Sequence, residues 1–119
     1  MSWTTARIAA GHDVMATNVT HVIWSENGSS ESANVAGTAV TLKSATNADP
    51  SVVSNDGALE SAAASSGCTI THWGFAATST LQTTWNELDD PAVLLAGGKI
   101  TVADGALKEN IDQTTSAPA

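Results

Sequence analysis

Charged side chains are scarce in this sequence, and those of positive sign are the scarcest. Charged residues make up 13% of the 119 residues, and 12 acidic residues stand against 4 basic ones for a net charge of −8. The basic residues are Arg7, Lys43, Lys99 and Lys108, which lie far apart along the chain. Binding to nucleic acid or to an anionic membrane surface depends on clustered Lys and Arg. The sequence therefore predicts a protein that binds neither nucleic acid nor membrane.

Cysteine is nearly absent too. Cys68 stands alone, which excludes an intrachain disulfide, and its place between Gly67 and Thr69 predicts a small buried side chain. Residues 1–20 lack the basic start and apolar run of a signal peptide. No stretch approaches the ~20 apolar residues of a membrane-spanning helix. We therefore expect a chain that is made in soluble form.

Motifs of the common catalytic and cofactor sites are missing as well. The sequence has no Gly-rich phosphate loop and no Gly-x-Ser-x-Gly nucleophile elbow. His12, His21 and His72 do not have the spacing of zinc ligands. Paired carboxylates for hydrolysis need not be close in sequence, so the pattern leaves them open. The missing motifs together favour a protein that is not an enzyme and holds no cofactor.

One acidic group invites a metal-site interpretation. Glu87, Asp89 and Asp90 offer clustered oxygens of the kind that Ca²⁺ prefers. They lack the spaced ligands of a calcium loop. We therefore interpret Asp89 and Asp90 as a solvated turn before Pro91.

What the sequence does have is Val and Thr in short patterned stretches, which suit strands. The strand predictions fall at residues 18–25, 38–43, 51–54, 68–76, 99–103 and 106–111, the last two joined by a hairpin-type turn at Asp104 and Gly105. Residues 58–64 fit a helix or a strand, and residues 83–88 fit helical spacing or an irregular segment. In residues 68–76, alternation assigns Ile70 and Trp73 to opposite faces.

Short strands between frequent turns predict an all-β fold, a small β-sandwich or jelly-roll-like barrel. We expect a β domain at residues 18–111, preceded by an N-terminal arm at residues 1–17 and followed by a mobile polar tail at residues 112–119. The arm shows no clean period, so a helical turn and an extended chain both remain open. It is expected to become ordered only against a partner.

The four tryptophans are the main candidates for contact residues. Trp24, Trp73 and Trp85 are expected in the core or at its rim, with a sugar-stacking platform as the functional alternative. Trp3 is expected to dock on a neighbouring subunit as an aromatic anchor, with Ile8 as a second interface residue of the arm.

Three sequence motifs follow one another in a characteristic order in the second half of the chain. Residues 69–75 read Thr-Ile-Thr-His-Trp-Gly-Phe, residues 85–88 read Trp-Asn-Glu-Leu, and residues 91–107 run from a proline through Gly-Gly and an alternating strand to Gly-Ala-Leu. In this order they resemble a family of small tailed-phage virion proteins, labelled tail fibre or head decoration proteins. Residues 34–40 match the family's first half more loosely, and the resemblance covers residues 33–110.

The family pattern has a physical meaning at its glycines. Gly97 and Gly98 can take positive φ and turn the chain tightly into the strand of Ile100. Gly105 does the same after Asp104. The pattern describes a β scaffold and contains no reactive group.

The resemblance implies a virion part that is made in the host cytoplasm and assembled there, with the major capsid protein as its partner. A chain of 119 residues presents a small surface, while a stable interface buries ~1,600 Å² in total. Self-association in a closed ring, a homotrimer, would let several weak contacts act together. The first hypothesis is therefore a capsid decoration (cement) protein, and the alternative is a tail fibre or adhesin domain that binds host glycan.

Overall fold

The computed structural model describes residues 3–111, and in this range the regular structure is mainly β. The all-β prediction is confirmed at this level. The elements are α1 (Thr5–Ala16), β1 (His21–Ser25), β2 (Thr38–Ala39), β3 (Ser51–Ser54), β4 (Leu59–Glu60), β5 (Cys68–Ala77), β6 (Thr80–Leu81), β7 (Asn86–Leu94), β8 (Thr101–Val102) and β9 (Lys108–Ile111). Within residues 3–111, no helix is long and apolar enough to cross a membrane.

The largest sheet is built around β5, which pairs antiparallel with β1 on one side and with β6 and β7 on the other. β2 extends the sheet beyond β1. The register places Trp24 of β1 opposite Trp73 of β5, and both side chains are buried. The ring of Trp73 meets the ring of Phe75 edge to face, with centroids 5.0 Å apart. These aromatic side chains form the centre of the hydrophobic core.

An irregularity in the β5–β7 pairing changes which side chains reach that core. Ile70 lies opposite Ala92, but His72 lies opposite Glu87, so the register shifts between Ile70 and His72. A bulge of this kind interrupts the alternation of side chains along a strand. Ile70 and Trp73 consequently belong to the same core cluster. The prediction that they lie on opposite faces is wrong.

β7 also differs from its prediction. The strand runs through Asp89, Asp90 and Pro91, where the sequence indicated a turn, and the helical alternative for residues 83–88 is wrong at its C-terminal end. Proline cannot donate a ladder hydrogen bond, so it is tolerated in a strand only at an edge or a bulge. Within residues 3–111, β7 pairs with β5 alone and is an edge strand, which explains its tolerance of Pro91.

Two short ladders, β3–β9 and β4–β8, complete the β structure. The turn at Asp104 and Gly105 is present, but β8 and β9 pair with different strands, so the predicted hairpin is wrong. Buried Asn55 redirects the chain here, because its backbone carbonyl accepts from Gly105 N at 3.0 Å and its side-chain oxygen accepts from Leu107 N at 2.9 Å. Its amide nitrogen donates to Ala103 O at 3.0 Å.

The segment from residue 5 to residue 16 forms α1, which settles the choice between a helical turn and an extended arm. Thr4 begins the helix, since its Oγ1 accepts a hydrogen bond from Arg7 N at 3.3 Å. A threonine in this position satisfies one of the free amide groups of the first turn. Asp13 fixes the second half of the helix, because its Oδ1 accepts from Ala45 N at 2.7 Å.

One face of α1 is buried next to β3. Ile8 and His12 are buried on that face, and His12 Nδ1 lies 3.0 Å from Ser51 Oγ. The expectation that the arm becomes ordered only against a partner therefore differs from the structure, in which the helix packs on its own chain. Only one large aliphatic side chain takes part, which is why no apolar period is visible in the sequence.

The polar tail predicted at residues 112–119 lies outside the described residues.

Candidate functional site

The exposed large apolar side chains within residues 3–111 are Trp3, which is 63% exposed and precedes α1, and two pairs. The helix patch consists of Val14 and Met15 in the last turns of α1, which are 73% and 68% exposed. The strand patch consists of Val93 and Leu95, which are 76% and 80% exposed. Contiguous exposed apolar surface is a feature of surfaces on which another protein packs.

Backbone alternation explains the strand patch. Ala92 and Leu94 point inward and pack against the hydrophobic core. Val93 and the next alternate residue, Leu95, therefore point outward. Thr69, which lies opposite Val93 on β5, is exposed as well. At this end of the sheet the outer face is not covered by any described residue.

The strand patch continues into an acidic strip, Glu87 and Asp89, on the same outward side of β7. Glu87 and Asp89 are both exposed. Asn86, which precedes Glu87, and Leu88, which lies between the two, are half-buried. The outward side of this strand thus changes from acidic to apolar along its length. His72 Nε2 lies 3.9 Å from Glu87 Oε2 at one end of the strip.

The helix patch follows from the 3.6-residue period of α1. Ile8 and His12 take the inward face, so Arg7, Gly11 and Val14, spaced by four and three residues, share the outward face. A Cβ atom added to Gly11 would have no other atom within 4 Å, as expected for a residue on the outward face of α1. Arg7 is exposed, and among residues 3–111 it has no acidic partner in an ion pair.

The two patches lie near opposite ends of β5. Leu94, next to the strand patch, pairs with Cys68 at the start of β5. Phe75, near the other end, lines a cavity together with Met15 of the helix patch. A strand rises ~3.3 Å per residue, so these ends are about 23 Å apart. One copy of the chain cannot cover its own strand patch with its own helix patch.

The cavity beneath α1 has a volume of about 190 Å³ and contains two titratable groups, His12 and Glu109. Burial lowers the pKa of His12, and the neighbouring Asp13 charge opposes this in part. Burial raises the pKa of the Glu109 carboxyl, against hydrogen bonds from Asn86 and Thr83 that favour the ionised form. Both shifts favour the neutral forms. The cavity is therefore chiefly a packing space between α1 and the β structure.

A wider groove of about 680 Å³ runs between β7 and the segment that contains β8. Its walls carry Glu87, Asp89 and Lys99 beside the indoles of Trp24 and Trp73. Lys99 Nζ is held 3.1 Å from a carboxylate oxygen of Glu60, on the neighbouring strand β4. Among residues 3–111, no three His, Cys, Asp or Glu side chains are placed to hold a metal ion.

The predicted tryptophan contacts are found in three different environments. Trp3 is exposed, Trp24 and Trp73 are buried, and Trp85 is half-buried. The indole nitrogen of Trp24 donates to Thr38 Oγ1 at 3.4 Å, as a core-rim tryptophan is expected to do. The four indoles do not come together in one platform.

The glycine turn that the sequence indicated is present. Gly97 has φ +84°, and its N–H donates to Ala64 O at 2.8 Å. Gly98 donates to Leu95 O at 2.8 Å, and a Cβ atom at this position would lie 3.0 Å from the same oxygen. The tight turn therefore requires glycine at 97 and strongly favours it at 98, and it ends the outward face on which the strand patch lies.

Cys68 is half-buried beside the core rather than fully buried. Desolvation raises the pKa of its thiol, and the negative charge of Glu26 adds to this. The thiol is thus kept in its less nucleophilic, protonated form, in keeping with a packing role.

The sequence interpretation did not single out Val93 or Leu95. The signal that was available is the alternation from Glu87 to Leu95, in which every odd-numbered residue is exposed. The predicted turn at Pro91 hid this signal, because it divided the strand in two.

Comparison with family models, curated proteins and solved structures found no match to this chain. The resemblance to phage virion proteins stays a prediction.

Proposed function

We propose that this chain is a structural protein of a bacteriophage virion, a capsid decoration protein that stabilises the head surface. The observation that carries the proposal is the pair of exposed apolar patches near opposite ends of one small β body. Side chains such as Leu95 gain about 1.5–3 kcal/mol when they are fully buried, so contact with other proteins would stabilise both patches. The order of motifs in residues 33–110 supplies the virion context.

The proposed partners are further copies of this chain and the major capsid protein. The described chain has an accessible surface of 6797 Å², so a standard interface of ~800 Å² per partner occupies about one-eighth of it. Room thus exists for contacts with two neighbours and with a shell. A homotrimer suits the three-fold positions of an icosahedral capsid, and the protein would be made in the host cytoplasm before it reaches the capsid surface.

The finer architecture belongs to the same proposal. We take the five-stranded sheet as one layer of a small sandwich or jelly-roll-like body, and the ladders β3–β9 and β4–β8 as the other. Val102 of β8 and Leu107 before β9 support this arrangement, because they share one hydrophobic cluster with Trp24 and Phe75 of the sheet. β-Rich circular dichroism with little helix is the expected solution signature.

The alternative function, a tail fibre or adhesin domain for host glycan, is favoured by one feature. The groove of about 680 Å³ combines indole surface with carboxylates that can accept hydrogen bonds from sugar hydroxyls. Its tryptophans are buried, however, so little ring face is offered for stacking. Decoration therefore remains the better-supported function.

Copy number separates the two functions. Quantitative mass spectrometry of purified virions, with the major capsid protein as internal reference, measures the number of chains per particle. Decoration predicts hundreds of copies. A handful of copies would contradict decoration and move the protein to the tail, where the adhesin function applies.

A further inference from the structure

We infer that the helix patch of one copy packs on the strand patch of a second copy, with Arg7 placed against the acidic strip. The inference names the two surfaces that would build the proposed homo-oligomer, and it rests on that proposed self-association. It does not depend on which larger surface the oligomer binds.

Val14 and Leu95 are left largely uncovered by residues 3–111. Val14 is 73% exposed and Leu95 is 80% exposed, and about 23 Å of β5 separates the regions in which they lie. A contact between different surfaces of two identical copies covers both patches at once. Such a head-to-tail contact leaves one helix patch and one strand patch free at the ends, so a third copy can close the ring.

The charges of the two patches are complementary. The chain carries a net charge of −8, so two copies repel each other unless opposite charges meet at their contact. Lys43 and Lys99 are held by ion pairs within the chain, at 3.1 Å in each case. Arg7 has no such partner among residues 3–111 and stands on the outward face of α1. Glu87 and Asp89 stand exposed on the outward face of β7.

The spacing of charged and apolar side chains is similar on the two surfaces. Arg7 and Val14 are separated by about 10 Å along the helix, since each residue of an α-helix rises 1.5 Å. Glu87 and Val93 lie opposite His72 and Thr69, which are three residues apart on β5, so the acidic strip and the strand patch are about 10 Å apart along the sheet. A helix of one copy laid along β7 of another can therefore place Arg7 over the acidic strip. In the same alignment it places Val14 over Val93. Gly11, between the two ends of the helix, lets the backbone approach the sheet closely.

Charge reversal tests this alignment on the full-length chain. We expect the wild-type chain to sediment as a trimer at micromolar concentration. Arg7→Glu and Asp89→Arg should each weaken assembly about tenfold or more, as close interfacial charge pairs do. The double variant restores the attraction with the signs exchanged, so its assembly should return to within about threefold of the wild type. Asp56→Arg, at an exposed position outside both patches, is the matched control and should assemble normally.

A second pair of variants tests the apolar half of the contact. Val14→Asp and Leu95→Asp each place a carboxylate in the buried part of the interface, and both should sediment as monomers where the wild type is a trimer. Both residues are exposed in the single chain, so circular dichroism and thermal unfolding should show a folded monomer. A monomeric wild type overturns the inference. So does normal assembly of any single charge or apolar variant, or a double charge variant that stays weakened.

Binding to purified capsids separates this inference from the proposed function. A chain that assembles as expected but does not bind capsids upholds the contact and contradicts decoration. A wild-type chain that decorates capsids without self-associating upholds decoration and overturns the contact.

Discussion

The two ends of β5 have different partner strands and are covered very differently, since β1 and β6 pair with it near Phe75 and, among the described residues, β7 alone pairs with it near Cys68. Near Phe75 the strand is covered on both faces, because Phe75 is buried and the segment after the strand folds back over Gly74. Near Cys68 the outer face is bare, and Thr69 and Val93 are exposed. Burial at each end follows both from the strands that pair there and from whether the following segment returns over the sheet, as residues 81–85 do and residues 93–95 do not.

The largest effect that would test this contrast is expected from Trp73, at the covered side of β5. Trp73→Ala should lower the free energy of unfolding by about 3–5 kcal/mol, because it leaves a cavity beside Phe75 and Trp24. Denaturant unfolding measures the change. Trp3→Ala, which alters a 63% exposed indole, is the matched control and should change the unfolding midpoint of the monomer little. An unchanged midpoint for Trp73→Ala would show that the indole is exposed and would revive the glycan platform.

A smaller effect is expected at Gly74. A Cβ atom there would lie 2.4 Å from Leu81 Cδ1, so the alanine forces the leucine to move. Gly74→Ala should cost about 1–3 kcal/mol, in the range of overpacked sites. Because the clash involves the end of one side chain, a second change, Leu81→Ala, should remove most of the interaction. A double-mutant cycle measures this coupling. Full additivity of the two changes would contradict the close approach of residue 81 to the sheet.

The next effect concerns pH and the helix that covers the cavity near Phe75. Burial lowers the pKa of His12 below its ordinary 6.5, so the unfolded chain takes up this proton before the folded chain does. The free energy of unfolding should therefore fall as the pH decreases through 6.5 toward the lower folded pKa. His12→Asn keeps a hydrogen-bonding atom near Ser51 but does not titrate, so the stability of this variant should depend less on pH in that window. Equal slopes for both proteins would contradict a buried, neutral histidine.

The smallest effect is expected at the bare end. Val93→Thr and Leu95→Ser change side chains that are 76% and 80% exposed, so each should alter the stability of the monomer by no more than about 0.5 kcal/mol. Thermal unfolding at a protein concentration too low for self-association measures the stability of the monomer. A loss comparable to that of Trp73→Ala would show that the strand patch is already covered in the single chain.

Local patterns were enough to predict several strands. The alternation of residues 68–76 and the short extended run at 51–54 correspond closely to β5 and β3. The pairing of β9 with β3 could not be read in this way, because it depends on Asn55, more than 50 residues from Leu107. The bulge between Ile70 and His72 is likewise a property of two strands together and leaves no mark in either sequence alone.

The candidate site was only partly predictable. Trp3 was predicted from its place in the arm to dock on a neighbouring subunit; it is 63% exposed, and the contact itself stays a prediction. Ile8 was expected at an interface with a neighbour, whereas the structure buries it under α1. The difference arises because α1 buries a single large aliphatic residue, Ile8, and exposes Val14 and Met15, so its period is too weak to show its inward face.

Pro91 has a consequence for solubility. The free edge of β7 is a potential template for endless strand addition, the route by which crowded β proteins form fibrils. Pro91 has no N–H to donate to an added strand, and the adjacent Asp89 and Asp90 bring charge to this part of β7. Pro91 and these charges therefore oppose growth along the edge of β7.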